Sequence, residues 1–167
     1  EAFNQYISGG FSGLIMNEIR EKNSMAYTAY GFASSRGLPG AQTYFSGYIG
    51  TQNDKAVDAI DLYMKLLTDM PERPGRIDNI KSYLRQSALT DHPDSRNLSL
   101  RIAEWKRRGY TDDPAKKELP LIDSLTFPDI VDYYQKNIKG KPIIIGVLGN
   151  PKDTSIDALK QLGKVIR

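Results

Sequence analysis

Two side chains near the start of the chain, Arg20 and Tyr27, could act together on a carbonyl group, and they lie seven residues apart. Arginine is permanently charged and presents five N–H donors, which suit carbonyl oxygens. A tyrosine hydroxyl is a neutral donor of the kind that stabilises an oxyanion during acyl transfer. Without further context, an arginine on a helix is usually solvated and a tyrosine at the start of a strand usually packs. The surrounding sequence has to decide between these interpretations.

Metal and thiol chemistry have little support in the composition. The chain has no cysteine and one histidine, His92, whereas a catalytic zinc ion needs about three protein ligands. His92 lies in an Asp-His-Pro-Asp stretch, which predicts a solvent-exposed turn. The sequence therefore predicts no metal ligand set and no cofactor in this chain, and it excludes disulfides and cysteine nucleophiles.

Length and charge predict one soluble globular domain spanning residues 1–167, with a net charge of +3 from 23 basic and 20 acidic residues. No apolar run approaches the roughly 18 residues that cross a bilayer. The first residues lack the basic and apolar regions of a signal peptide. We therefore expect no membrane span, and both the cytoplasm and the cell envelope or periplasm remain possible compartments.

A basic run beside aromatic residues raises the alternative of nucleic-acid binding. Lys106, Arg107 and Arg108 follow Trp105 and precede Tyr110, and aromatic-flanked cations can bind single strands. Cations are also common at the carboxyl end of a helix, where they interact favourably with its dipole. The helix-end interpretation is favoured, so we expect no nucleic-acid partner.

The order of the predicted elements indicates the fold class. Apolar spacing predicts helices at residues 2–7, 11–22, 54–69, 77–89, 98–108, 127–138 and 155–162. Strands are predicted at residues 26–35, 42–51 and 143–148, with a turn at 36–40 and a polar loop at 111–120. Thr126 and Asp129 resemble a capping box at the start of one of these helices. This order predicts an α+β fold in which helices layer on a mostly antiparallel sheet.

Helical spacing and strand alternation also predict which side chains share a face of each element. The apolar face of the second helix consists of Phe11, Leu14, Ile15 and Ile19, and that of the helix after Asp54 consists of Val57, Ile60, Met64 and Leu67. Arg20 falls on the opposite side of its helix, in a row with Gly13 and Asn17. Strand alternation puts Tyr27 on one face with Ala29, Gly31 and Ala33, and puts Tyr30 and Phe32 on the other.

The third predicted strand, residues 143–148, differs from the first two because it is apolar without interruption. Such a run is typical of a strand that is buried on both faces. Three strands make a thin sheet, and the chain begins inside a predicted helix without a cap. We therefore expect an N-terminally truncated domain that lacks its first strands.

A family resemblance rests on residues 9–27, which read GGFSGLIMNEIREKNSMAY. This segment is similar to the stretch that marks the C-terminal, non-zinc-binding domain of pitrilysin/insulinase-type zinc metallopeptidases, including mitochondrial processing peptidase. The matching residues are Gly9, Gly10, Ser12, Arg20, Glu21, Lys22 and Tyr27. Two departures are Gly13, where a second serine is common, and Asn23-Ser24-Met25, where the family more often has an Arg-Gly-Leu type sequence. The resemblance extends more loosely over the whole chain.

The resemblance implies a role in proteolysis. In this family the zinc ion lies in the other half of the molecule, on an inverted His-x-x-Glu-His helix with a downstream glutamate, and the two halves close around an unfolded peptide. By resemblance, Tyr27 supports the oxyanion and Arg20 orients the substrate. The substrate-binding residues that it implies are Gly9, Gly10, Ser12 and Gly13. The expected partners are a peptide and a zinc-binding N-terminal half, on the same polypeptide or a partner subunit, and this chain alone should be inactive.

A structural role is the alternative. Some relatives of this family have lost zinc and persist as scaffolding or core subunits of larger assemblies. In that case Arg20 and Tyr27 would be packing residues or relics. A zinc motif elsewhere in the complete protein would discriminate between the two functions.

Overall fold

The computed structural model describes residues 1–34, 42–91, 93–150, 152–164 and 166. The α-helices in these ranges are α1 (Ala2–Ser8), α2 (Ala56–Thr68), α3 (Ile77–Thr90), α4 (Leu98–Arg107), α5 (Ala115–Ser124), α6 (Phe127–Asn137) and α7 (Ile156–Leu162). Strands β1 (Thr28–Ser34) and β2 (Tyr44–Gly50) lie between α1 and α2. A π-helix spans Met16–Lys22, and single 3-10 turns lie at Gly10–Ser12, Asn53–Lys55 and Pro74–Arg76. The predicted α+β class is confirmed.

The two strands form the predicted antiparallel hairpin, and its turn at residues 36–40 lies outside the described part of the chain. In this register Gly31 of β1 lies directly opposite Gly47 of β2. The inward-facing pairs are Ala29 with Ile49, Gly31 with Gly47, and Ala33 with Phe45. Since the central pair has no side chains, the inner face of the hairpin has a depression at its middle.

Tyr63 of α2 fills this depression. Its hydroxyl donates a hydrogen bond of 2.9 Å to the carbonyl of Tyr30. A Cβ atom at Gly31 or Gly47 would lie 2.4 or 2.3 Å from the Tyr63 hydroxyl oxygen, too close for any side chain. Burial raises the pKa of Tyr63 above its usual range, so the phenol stays a neutral donor.

The insertion of Tyr63 also corrects the predicted face of α2. Of the four residues predicted to form its apolar stripe, only Leu67 is buried; Val57, Ile60 and Met64 are partly exposed. The buried residues of α2 are Ala56, Ala59, Tyr63, Leu66 and Leu67. The helix is thus turned by about one residue from the predicted phase, because the glycine pair accepts the tyrosine.

Helix α1 lies at the centre of the hydrophobic core and contacts β1. Tyr6 and Ile7 are almost completely buried. The Asn4 side chain donates to the carbonyl of Ala33 at 2.9 Å and accepts from the Ala33 amide at 2.7 Å. Since α1 thereby satisfies backbone groups of β1, it covers that strand's edge as well as one face of the hairpin.

The capping residues predicted for α6 are confirmed, and α7 has a cap that was not predicted. Thr126 and Asp129 form a capping box, in which the Thr126 amide donates to an Asp129 carboxylate oxygen at 2.8 Å. The Thr126 hydroxyl, which donates to the same oxygen at 2.6 Å, and then the amide lower the pKa of the Asp129 carboxyl group. At α7, the Ser155 hydroxyl accepts from the Ala158 amide at 3.2 Å. Local sequence is sufficient to start both helices.

The loop predicted at residues 111–120 is wrong, because α5 begins inside it. The Asp113 carboxylate, which precedes the N-cap residue Pro114, accepts from the Ala115 amide at 2.9 Å. Pro120 lies within the helix and is exposed, as is Lys116, whose carbonyl loses a partner to the proline. Water can satisfy that carbonyl. On the other side, α5 is held to α3 by a 2.5 Å ion pair between Arg85 and Asp123.

The buried strand predicted at residues 143–148 is also wrong for the described part of the chain. The segment forms neither a helix nor a strand and pairs with neither β1 nor β2. Ile144 and Leu148 are fully exposed at 99% and 103%, and Ile143, Ile145 and Val147 are about half-exposed. The intrinsic preference of the run for a strand is therefore present without a neighbouring strand to satisfy it.

None of the helices in the described ranges is both long enough and apolar enough to cross a bilayer.

Candidate functional site

The structure brings Arg20 and Tyr27 into direct contact. The guanidinium carbon of Arg20 lies over the Tyr27 ring, 5.2 Å from its centroid. The centroid of the Phe11 ring lies 5.8 Å from the same guanidinium carbon. Both rings are mostly exposed, at 80% for Tyr27 and 76% for Phe11. Arg20 is therefore held between two aromatic rings at the surface by cation–π contacts.

The π-helix at Met16–Lys22 positions Arg20. Its buried side is anchored by Ile19, while Glu18 forms an ion pair with Arg73 and a second one with Lys22 at 2.9 Å. The Asn17 side chain accepts a 3.1 Å hydrogen bond from Arg73. A π-helix has more residues per turn than an α-helix, so Arg20 and Asn17 do not share the helix face that an α-helix would give them. Turns of this type occur frequently at functional sites. Asn17 thus faces Arg73, whereas Arg20 faces the two rings.

The turn after this helix requires a left-handed residue at Ser24, where φ is 51°. The Met25 amide reaches back to the carbonyl of Ile19 at 2.9 Å, which reverses the chain toward β1. Glycine adopts this conformation without strain, whereas other residues lose stability. The departure of this sequence from the Arg-Gly-Leu pattern therefore places a serine where the backbone favours glycine.

Replacing Ser24 with glycine is expected to stabilise the domain by about 0.5–1 kcal/mol, because it relieves the left-handed conformation. Urea denaturation measures the change in the free energy of unfolding. Ser87→Gly, inside α3, is the matched control and should destabilise by about 0.5–1 kcal/mol. A Ser24→Gly variant that loses as much stability as the control would contradict the left-handed assignment.

Tyr27 lies at a bend before β1, and this corrects its predicted face. Ala26 and Ala29 are buried, so strand alternation does not continue back from Ala29 to Tyr27. The Tyr27 amide donates to the carbonyl of Gly50 at 3.1 Å, which fixes the backbone to β2. Its ring points into solvent over Arg20. The backbone is therefore fixed while the hydroxyl is open to a ligand.

Phe11 is exposed, although helical spacing predicted it on the buried face with Leu14, Ile15 and Ile19. Gly10 adopts a φ of 58°, and Phe11 lies in a separate 3-10 turn before the longer helix begins. The flanking glycines Gly10 and Gly13 were the signal that this residue leaves the helical phase. Phe11 is the site residue that sequence reasoning assigned to the core.

The glycine segment before the helix has a structural role that its geometry defines. A Cβ at Gly9 would lie 2.3 Å from the carbonyl oxygen of Gln5, and one at Gly13 would lie 2.7 Å from the Cα of Ser8. The Ser12 hydroxyl donates to the Gly9 carbonyl at 3.0 Å. Close backbone packing thus requires Gly9 and Gly13. A substrate-binding role for Gly9, Gly10, Ser12 and Gly13 remains a prediction.

An open cleft of about 600 Å³ lies beside the pair, lined by residues 20–21, 24–27, 50–52 and Lys55. Its cations are Arg20 and Lys55, and its one acid in the described lining is Glu21, 3.5 Å from the Arg20 Nε atom. Lys55 donates to the Ser24 carbonyl at 3.4 Å. The remaining N–H groups of Arg20 and the Tyr27 hydroxyl make this cleft suited to carbonyl oxygens.

The cleft does not fit a zinc ion. Zinc prefers histidine, cysteine and carboxylate ligands, and this lining supplies one carboxylate beside two cations. In the described ranges no three histidine, cysteine, aspartate or glutamate side chains are grouped to hold a metal. His92, predicted to lie in a solvent-exposed turn, falls outside the described residues.

The basic run at the end of α4 does not line this cleft. Arg108 pairs with Glu104 one turn earlier, at 2.6 Å, and Trp105 is partly buried. This arrangement agrees with a helix-end role for the cations.

Both the sequence and the fold of this chain are similar to those of known proteins. Residues 1–82 match the family model described as the peptidase M16 inactive domain. The chain is similar to the crystal structure of a peptidase M16 inactive domain from Pseudomonas fluorescens, with a TM-score of 0.64 and 16% sequence identity. That match covers 83% of this chain and 33% of the other, so this chain spans about a third of that structure's length. No curated protein matches the chain.

Proposed function

We propose that this chain encloses peptide substrate opposite a zinc-binding half, because residues 1–82 match the family model described as the peptidase M16 inactive domain and the fold is similar to that of a solved domain of this description. In this proposal the zinc ion and the residues that hold it belong to that other half, on the same polypeptide or on a partner subunit. Among the described residues no group of histidine, cysteine, aspartate and glutamate side chains could hold that ion. The complete protein hydrolyses peptides, and this domain alone is inactive.

The observation that carries the proposal is the exposed Arg20–Tyr27 contact at the edge of the cleft. The pair combines a charged guanidinium group with a phenol hydroxyl, and 5.2 Å separates the guanidinium carbon from the ring centroid. Arg20 donates to a carbonyl oxygen of the substrate backbone and orients the chain. Tyr27 donates to the oxygen that becomes negative at the scissile carbonyl. Both groups bind backbone atoms, so this pair serves peptides of many sequences.

The arginine can be tested by replacing it with methionine in the complete protein. Arg20→Met keeps an apolar side chain of similar length between Phe11 and Tyr27 while removing every donor. We expect KM for peptide hydrolysis to rise roughly tenfold, which corresponds to one charge-assisted hydrogen bond. Steady-state kinetics with a fluorogenic peptide measures this change.

Arg85→Met is the matched control for this test, because Arg85 lies on α3 and pairs with Asp123 away from the cleft. Its KM should stay at the wild-type value. Equal KM values for wild type and Arg20→Met would remove the arginine from substrate binding. A complete protein that hydrolyses no peptide at all would favour the scaffolding role instead.

A further inference from the structure

The outward face of the hairpin carries an unusual set of side chains for a protein surface. Its eight positions are Thr28, Tyr30, Phe32, Ser34, Tyr44, Ser46, Tyr48 and Gly50. None of these is charged, although 26% of the residues in the chain are. Four are aromatic and between 43% and 60% exposed. An uncharged aromatic surface of this kind is typical of a binding site.

Two of the aromatic residues, Tyr30 and Tyr48, form a fixed platform. They are paired across the strands, and their rings stack with centroids 5.4 Å apart and an interplanar angle of 25°. Stacking and the paired backbone restrict both rings, so a ligand that covers them loses little additional side-chain entropy. We call the outward aromatic side chains Tyr30, Phe32, Tyr44 and Tyr48 the aromatic face.

The aromatic face is continuous with the Arg20–Tyr27 cleft. Gly50 lines the cleft and is also the last outward position of β2. The Tyr48 hydroxyl lies over it, 3.3 Å from where a Cβ of residue 50 would be. A chain bound at Arg20 and Tyr27 can therefore continue over Gly50 to Tyr48.

The spacing of the face suits an extended peptide. Alternate side chains on one face of a strand lie about 7 Å apart, both in β1 and in an extended ligand. Each strand has seven residues, so the face is about 23 Å long. Uncharged rings with hydroxyl groups at their edges bind apolar side chains and leave polar backbone groups hydrated or hydrogen-bonded.

We propose that the aromatic face is an extended subsite that binds apolar and aromatic side chains of a peptide, at alternate positions beyond the bond held at Arg20 and Tyr27. This inference rests on the proposed function and gives it a substrate class. Peptides with leucine or phenylalanine at every second position on one side of the cleavage point bind better than peptides with serine or glutamine there. The cleft orients the backbone, and the aromatic face selects the side chains.

The test uses the complete protein and two labelled synthetic peptides. Both share one cleavable sequence; one carries alternate leucine and phenylalanine residues beyond it, and the other carries serine and glutamine. Fluorescence anisotropy measures Kd, with a chelator present to remove zinc from the other half so that neither peptide is cut. For the Tyr30→Ser/Tyr48→Ser double variant, we expect Kd to rise about tenfold for the apolar peptide and less than twofold for the polar one.

Tyr83→Ser is the matched control, since Tyr83 is an equally exposed tyrosine, at 54%, on α3. It should change neither Kd. Wild-type Kd values that are equal for the two peptides, or a double variant that changes both equally, would overturn the subsite. Activity variants at Tyr27 test the proposed function separately, because they act on kcat and leave the dependence of Kd on the peptide intact.

Discussion

In the complete protein, Tyr27→Phe is expected to lower kcat for peptide hydrolysis about a hundredfold and to leave KM within about a factor of two. Removal of one oxyanion donor costs about 3 kcal/mol of transition-state stabilisation. The donor acts on the charge that develops in the transition state, so substrate binding changes little. The substitution removes one oxygen atom and keeps the ring over Arg20.

The geometry of Tyr27 makes this a clean experiment. The ring is 80% exposed, and the backbone amide retains its bond to Gly50. The variant should therefore unfold at the wild-type urea concentration. Tyr83→Phe, an exposed tyrosine on α3, serves as the matched control and should keep full activity. An unchanged kcat in Tyr27→Phe would leave the tyrosine with no part in the reaction.

Gly31→Ala is expected to destabilise the domain by about 2–3 kcal/mol, since the added methyl group overpacks a filled site. Its Cβ would lie 2.4 Å from both the Tyr63 hydroxyl and Phe45 Cζ, and 3.0 Å from Ile15 Cδ1. Each of these side chains is held by neighbours in the core. Urea denaturation followed by circular dichroism measures the loss of unfolding free energy.

A Tyr63→Phe background tests whether Tyr63 causes the loss of stability in these glycine-to-alanine variants. At Gly47 the three nearest atoms to an added Cβ all belong to Tyr63. Gly47→Ala should therefore destabilise the domain less in a Tyr63→Phe background, where the hydroxyl is absent.

Gly75→Ala is the control for Gly31→Ala, because nothing lies within 4 Å of its Cβ position, and it should be neutral or slightly stabilising. Equal losses for Gly31→Ala and Gly75→Ala would show that the depression does not constrain the hairpin.

Most of the elements were predictable because their signals are local. The capping box at Thr126 and Asp129 starts α6 at the predicted residue. The hairpin follows from two strand-forming runs separated by turn residues. The spacing of Arg20 and Tyr27 carried the family resemblance, but it did not predict the cation–π contact that the two side chains make.

The errors arose where tertiary packing or backbone conformation overrides periodicity. Phe11 is shifted out of the helix by Gly10, and α2 is rotated because Tyr63 fits the glycine pair. The π-helical winding that separates Arg20 from Asn17 has no signature in a helical wheel. The loop predicted at residues 111–120 is partly helical and Pro120 lies inside α5, because an exposed position allows water to replace the lost hydrogen bond. The cleft itself depends on distant residues such as Lys55, which no local motif connects to Arg20.

The uncovered segment at residues 143–148 has a consequence for how the chain behaves at high concentration. It combines three isoleucines, a valine and a leucine with no charge and no proline, which is the composition of cross-β fibril segments. Lys139, Lys141 and Lys152 flank the run as gatekeepers that oppose stacking by charge repulsion. Amyloid-type association and covering by a neighbouring strand therefore compete for the same backbone groups. High salt, which screens the lysines, is expected to increase association through this run.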